Sequence, residues 1–237
     1  MKNENRRLLL ISSSTVHGSG YLDHAEAEIR DFLGNVRCVL YVPYALFNRD
    51  QYSASARARF QQMGYELTSI HTAANQVQAV KDAEAVFVGG GNTFRLLKAL
   101  YDFGLLDVIR ERVDEGMPYM GASAGSNMAC PTIKTTNDMP IVQPPSFNAL
   151  GLVSFQINPH YLDADPNSTH KGEAREERLI QYLEENDTPV VGLREGAMLR
   201  VENGETRLRG SFGARLFRRG FEPVEISLGA KIDLTTD

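Results

Sequence analysis

Short apolar runs alternate with amphipathic stretches through the first half of the chain, and turn residues separate them. Residues 8–12 (LLLIS) read as a buried strand. Residues 21–33 read as a helix, with Leu22, Ala25, Ile29, Phe32 and Leu33 at helical spacing. The rhythm continues with a strand over 36–42, closed by Pro43, a helix over 50–63, a strand over 65–70 and a short helix over 75–82. A fourth strand, 85–88, ends in Gly89-Gly90-Gly91. Helices over 93–101 and 105–115 follow, split by Gly104, then a strand over 118–121 and a helix from 124 to 129. Strands alternating with crossover helices predict a three-layer α/β fold, with a mostly parallel sheet and helices on both faces. The crossovers are expected to be right-handed. The second half is less regular. A strand over 153–157, a helix over 173–185 and a strand over 189–192 precede a C-terminal β-hairpin, 198–201 and 206–209, turned at Asn203-Gly204. Residues 131–150 carry four prolines and predict a long loop, a kind of segment that often carries function.

Length and charge narrow the picture. The 237 residues contain no long polar linker or internal repeat, so one domain over 1–237 is expected. The net charge of −5 argues against a nucleic-acid partner, which usually meets a basic surface. The apolar run at 8–11 is too short for a signal peptide or a membrane span, so no membrane association is expected. Two cysteines, Cys38 and Cys130, are too few for a disulfide framework, and no Cys/His cluster has metal-ligand spacing. A reducing, cytoplasmic compartment follows as the expectation. Ser12-Ser13-Ser14-Thr15 stands where a dinucleotide-binding fingerprint would follow the first strand, so neither a nicotinamide cofactor nor a metal is expected.

The candidate chemistry begins at Gly121-Ala122-Ser123-Ala124-Gly125. A G-x-S-x-G between a strand and a helix makes a sharp turn that presents the serine in a strained, exposed position. The free N–H groups of the following helix can stabilise an oxyanion there. The plainer alternative is a glycine-rich turn with a capping serine. Gly89-Gly90-Gly91-Asn92-Thr93 is neither a dinucleotide fingerprint nor a P-loop. It reads as a tight turn, or as a second source of oxyanion-binding N–H groups, which makes Gly91 and Ala124 the candidate oxyanion hole.

A serine nucleophile needs a base, and there are five histidines. His24 lies on a predicted helix, His71 after an early strand, His17 in a Ser/Gly loop and His170 in a polar stretch that reads as solvated. His160 follows the 153–157 strand and Asn158-Pro159, and is the best candidate. For the acid that orients the imidazole, two residues remain open: Asp138, in the loop after the serine helix, and Glu195, after the 189–192 strand. Triads occur in several chain orders, so order does not choose, and position leans towards Glu195.

Taken together, Val86-Phe87-Val88-Gly89-Gly90-Gly91-Asn92-Thr93, Gly121-Ala122-Ser123-Ala124-Gly125-Ser126-Asn127, Ile157-Asn158-Pro159-His160, the 172–178 segment GEAREER and Gly192-Leu193-Arg194-Glu195-Gly196 carry a resemblance. Over nearly its full length the chain resembles the peptidase E family of α-aspartyl dipeptidases. The resemblance implies a fold similar to class I glutamine amidotransferases, with serine in place of cysteine. It implies hydrolysis of dipeptides with an N-terminal aspartate, with Ser123 as nucleophile and His160 as base. In that family the acid has been placed at both the Asp138 and the Glu195 positions. Ala122 and Ala174 depart from the family, which often has a bulkier residue and a hydroxyl residue there. Selecting an aspartyl side chain calls for a bidentate arginine. Arg175 is the candidate, Arg194 a weaker rival, and Arg178 reads as solvated. Two other functions are weighed: a cyanophycinase-like hydrolase of β-aspartyl bonds, and a non-catalytic amidotransferase-like binding protein.

Overall fold

The structure, a computed structural model, describes residues 4–163 and 173–234. Two sheets organise it. The larger has seven strands in the order β3-β2-β4-β5-β1-β8-β9, formed by β1 (Leu8–Ile11), β2 (Cys38–Val42), β3 (Glu66–Ser69), β4 (Ala85–Val88), β5 (Tyr119–Ala122), β8 (Ala197–Glu202) and β9 (Glu205–Gly210). The five strands from the first half pair in parallel, and the hairpin β8–β9 extends them antiparallel beside β1. All four residues of β1 are fully buried, as expected for a central strand covered on both faces. Leu9 and Ile11 pack on one side with α1 (Glu26–Leu33) and α2 (Arg49–Gln62). Leu8 and Leu10 pack on the other with α3 (Gln76–Lys81), α4 (Thr93–Asp102), α5 (Leu105–Asp114) and α6 (Ala124–Met128). This is the expected three-layer arrangement, and the period-2 alternation of strand side chains produces it.

The smaller sheet, in the order β11-β10-β7-β6, was not expected as a separate unit. It comprises β6 (Gln156–Tyr161), β7 (Val190–Arg194), β10 (Ala214–Phe217) and β11 (Val224–Ile226). Helix α7 (Arg175–Glu185) packs Leu179 and Leu183 against Tyr161, Val190 and Phe217 on one of its faces. Ile157, Val191 and Leu193 join the main core on the other.

Two element boundaries near the site or the core differ in an informative way from expectation. The strand expected over 153–157 runs over Gln156–Tyr161, through Pro159. Proline lacks the N–H a ladder needs, but β6 is an edge strand paired only to β7, where proline is tolerated. The helix expected from 21 starts as a 3-10 turn at Asp23–Ala25, because Leu22 is left-handed (φ 58°). The predicted hairpin is found, with Asn203 and Gly204 both at positive φ as a type I′ turn requires. Residues 131–150 form the expected loop, closed by a bridge between Thr132 and Asn148.

Candidate active site

Ser123 ends β5 and opens α6, with φ 53° and ψ −110°. A non-glycine residue rarely holds such a conformation unless its surroundings enforce it. Here they do. Gly121 and Gly125 leave no room for side chains: a Cβ on Gly121 would lie 2.5 Å from the Gly125 carbonyl oxygen, and one on Gly125 would fall on the carbonyl oxygen of Val88. The helix thus presses directly on the β4 backbone. Ser123 N–H donates to the Ile11 carbonyl (2.9 Å), and the Ser126 hydroxyl lies within bonding distance of the Ile11 and Gly121 carbonyls (2.8 and 2.9 Å). The Tyr119 hydroxyl donates to the Gly125 carbonyl (2.7 Å).

The Gly89-Gly90-Gly91 turn lies against this elbow. A Cβ on Gly90 would be 3.1 Å from that of Ser123, and Gly91, at φ 129°, would drive a side chain into the Ala45 carbonyl. Among the described residues, no acceptor takes the N–H of Gly91 or of Ala124.

His160 sits within β6 rather than beyond it, at φ 53°, where the register with β7 slips between Pro159 and Tyr161. The slip turns the imidazole out of the ladder and towards Ser123. Its Nε2 lies 2.9 Å from Ser123 Oγ, and its Nδ1 lies 2.7 Å from Glu195 Oε1. Its backbone is clamped by a residue the sequence did not single out. Ser12, at the end of β1 and fully buried, accepts the His160 N–H (2.9 Å) and donates to the Leu193 carbonyl (2.7 Å). Asn137 adds a second clamp: its amide donates to the Pro159 carbonyl (2.7 Å) and its oxygen accepts from Asn158 (2.8 Å). The signal available in the sequence was a run of small polar residues at the mouth of an apolar strand, which marks a place where backbone groups must be satisfied without bulk.

Of the two candidate acids, the structure brings Glu195 to the imidazole and not Asp138. Asp138 Oδ2 accepts from the Thr93 N–H (2.7 Å), the Thr93 hydroxyl (2.5 Å) and the Thr136 hydroxyl (3.2 Å). A carboxylate at the first turn of α4 complements the positive end of that helix, which is why Asp138 is drawn there. It ties the 131–150 loop to the glycine turn, helped by Asn92, whose amide donates to the Met139 carbonyl (2.9 Å).

Among the arginines, Arg194 is fully engaged: Asp163 and Glu225 each bind it in a fork, at 2.6–2.9 Å. It does not reach for a ligand. Arg178 faces solvent and lies 3.6 Å from Glu173. Arg175 opens α7, is half-buried, and has no hydrogen-bond partner among the described residues. Burial, then Arg178, pulls its pKa below the usual guanidinium range, while the negative charge of Asp138 opposes the shift. The first turn of α7 is held in place through Glu176, which takes Arg215 at 2.5 Å, and through Glu177, which accepts the Ala174 N–H at 2.8 Å.

The remaining histidines lie elsewhere. His71 bonds Ser69 (2.6 Å) and Asp50 (2.9 Å), and His17 is exposed. Both ring nitrogens of His24 are buried without a described partner. His170 lies outside the described residues. No group of three or more His, Cys, Asp or Glu among the described residues could hold a metal ion. No helix among the described residues is long and apolar enough to cross a membrane.

The chain matches the model of peptidase family S51 over residues 8–209, which spans β1 through most of β9 and includes Ser123, Asp138, His160, Arg175 and Glu195. The chain belongs to peptidase family S51. As an S51 peptidase it has near relatives. It is 54% identical to a Streptomyces coelicolor protein named peptidase E, over 97% of this chain and 95% of the relative. It is 51% identical to a Drosophila melanogaster protein named a probable alpha-aspartyl dipeptidase, over 90% of each. In fold, this S51 chain is similar to the crystal structure of a peptidase from an acI-B1 Actinobacterium, with TM-score 0.68, 18% identity and 96% coverage of both chains.

Proposed function

We propose that this chain is a serine-type dipeptidase that hydrolyses dipeptides with an N-terminal aspartate, and that Ser123, His160 and Glu195 form its catalytic triad. The observation that carries the reading is the unbroken chain of hydrogen bonds from Ser123 Oγ through both imidazole nitrogens to Glu195, built on a serine held at positive φ. The names of the S. coelicolor and D. melanogaster relatives support the substrate class.

The chemistry follows from the geometry. Ser123 Oγ attacks the carbonyl carbon of the aspartyl residue while its proton passes to His160 Nε2. The carbonyl electron pair moves onto oxygen, and the N–H groups of Gly91 and Ala124 receive that oxyanion. As the tetrahedral centre collapses, the C–N bond breaks, and the imidazolium gives its proton to the leaving amine. Water then attacks the acyl-enzyme, with His160 again taking the proton, and aspartate leaves with the serine restored. Glu195 holds the Nδ1–H tautomer and stabilises the imidazolium. Arg175, whose guanidinium has no described partner, pairs with the aspartyl side-chain carboxylate. The scheme calls on no metal or organic cofactor and on no partner beyond the peptide. A cytoplasmic location accords with two free cysteines, one of them, Cys130, buried with its thiol pushed up to about 12.

The test is hydrolysis across a panel of Asp-Leu, Asn-Leu, Leu-Leu and β-Asp-Arg. Asp-Leu should be preferred by orders of magnitude, since a site built for a carboxylate leaves its donors unpaired without one. A preference for β-Asp-Arg would move the reading to a cyanophycinase-like hydrolase, and no turnover of any peptide would point to a binding protein.

A further inference from the structure

Asp138 has one oxygen in use and one free. Three donors converge on Oδ2, two from Thr93 and one from Thr136, and among the described residues none reaches Oδ1. Its position is fixed from two sides. Thr93 comes two residues after Gly91, whose turn lies against Ser123, while the neighbouring Asn137 is bonded to Pro159, the residue before His160. Residues 137–138 therefore bridge the base's strand and the glycine turn, at the edge of the space where a scissile carbonyl must sit.

The other carboxylates of the region are committed. Glu195 bonds His160 Nδ1, on the ring edge away from Ser123. Asp163 and Glu225 are bound by Arg194, and Glu176 by Arg215. Asp138 differs from them in bonding neither an arginine nor the imidazole: its donors are the Thr93 N–H and two threonine hydroxyls, all on Oδ2. Its charge is felt at Arg175, yet the two form no ion pair. An anion and a cation thus lie close enough to influence each other without neutralising each other directly.

An aspartyl N-terminus carries the complementary pair, an α-ammonium and a β-carboxylate on adjacent carbons. On the aspartyl-dipeptide reading above, Arg175 takes the carboxylate. We infer that Asp138 Oδ1 binds the free α-ammonium of the substrate, and so makes Asp138 the residue that requires an unblocked N-terminus. Asp138 is then a specificity-determining residue rather than the triad's acid. Its Oδ2 anchors the loop and its Oδ1 reads the ligand.

The experiment compares Asp-Leu with succinyl-Leu, which is the same molecule with the amine replaced by hydrogen. The wild type should prefer Asp-Leu by at least about tenfold in kcat/KM, the range a hydrogen bond to a charged group supports. Asp138→Asn keeps an amide oxygen for the Thr93 donors but places a neutral amide where the ammonium needs a carboxylate. It should lose at least about tenfold on Asp-Leu, chiefly through KM, and leave succinyl-Leu within about threefold, which closes the gap between them. The comparison is a ratio on one preparation, so partial unfolding cancels. Calorimetry with L-aspartate and succinate on Ser123→Ala and on Ser123→Ala/Asp138→Asn gives the same comparison without turnover. Equal losses on both ligands, or a wild type that does not distinguish them, would overturn the inference. The aspartyl-dipeptidase reading itself stands or falls separately, on wild-type turnover of Asp-Leu against Asn-Leu.

Discussion

Replacing Glu195 with glutamine removes one charge and little volume from the far side of the imidazole. In the transition state His160 is protonated, and its Nδ1–H faces the Glu195 oxygen 2.7 Å away. Two unit charges about 4 Å apart attract by ~4 kcal/mol at an effective dielectric of 20 and by ~1 kcal/mol in bulk water. The side chains of His160 and Glu195 are 37% and 45% exposed, so solvent screens the pair and the lower half of that range applies. A loss of roughly 1–2.5 kcal/mol corresponds to about 5- to 70-fold in kcat. Glutamine adds a second fault, because it can also offer an N–H to Nδ1 and favour the tautomer that cannot accept the serine proton. The expected result is therefore a fall in kcat of about 10- to 1000-fold on Asp-Leu, with KM changed far less. Asp138→Asn should show the opposite pattern, with KM moving most. Glu195→Gln within about threefold of wild-type kcat, alongside a large kcat loss for Asp138→Asn, would refute the assignment of the acid.

Three further outcomes follow from single contacts. Gly125→Ala forces a Cβ into the Val88 carbonyl, so α6 must shift. Overpacking of this kind costs about 1–3 kcal/mol, which should lower Tm by roughly 2–12 °C and abolish turnover. Arg175→Met should lower kcat/KM on Asp-Leu and narrow the gap to Asn-Leu, and full retention of that discrimination would mean the carboxylate is read elsewhere. Burial lowers the pKa of His24 below its usual value, so the unfolded chain binds that proton more readily. Its contribution to stability is present above about pH 6.5 and is lost as the pH falls towards the lower folded value, so His24→Leu should flatten the fall in Tm below pH 6.5.

The parallel half of the fold was legible because four of its five strands are four- or five-residue apolar runs, with β3 alternating instead, and capped helices punctuate them: Asn48, Asn75 and Asn92 each cap a helix through their side chains. Ser123 was legible for the same reason, since both glycines around it are sterically forced. The second sheet was legible only in part: the predicted 189–192 strand overlaps β7 and the 153–157 strand overlaps the start of β6, but the rest was not. Its strands β10 and β11 are four and three residues long, and β11 is largely exposed, so neither leaves a periodic trace. Its edge strand passes through a proline that argues against any strand. Between the two candidate acids the sequence offered no more than a lean towards Glu195, for a different reason. Asp138 and Glu195 both follow elements that end at the crevice, and only the third dimension separates a carboxylate that caps a helix from one that faces an imidazole. Ser12 likewise carries no chemical signature of its own. Its role comes from accepting the backbone N–H of a residue 148 positions away.

The central claim is that Ser123 becomes covalently bonded during turnover. Intact-mass and peptide mapping after treatment with a serine-reactive fluorophosphonate tests it directly, in parallel with Asp-Leu kinetics. The account predicts one label per chain, on the peptide that contains Ser123, appearing as activity disappears. It also predicts no label in Ser123→Ala, whose kcat should fall by at least about a thousandfold with an unchanged circular dichroism spectrum. Near-normal turnover by Ser123→Ala, or complete inactivation with the label on another residue, would contradict it.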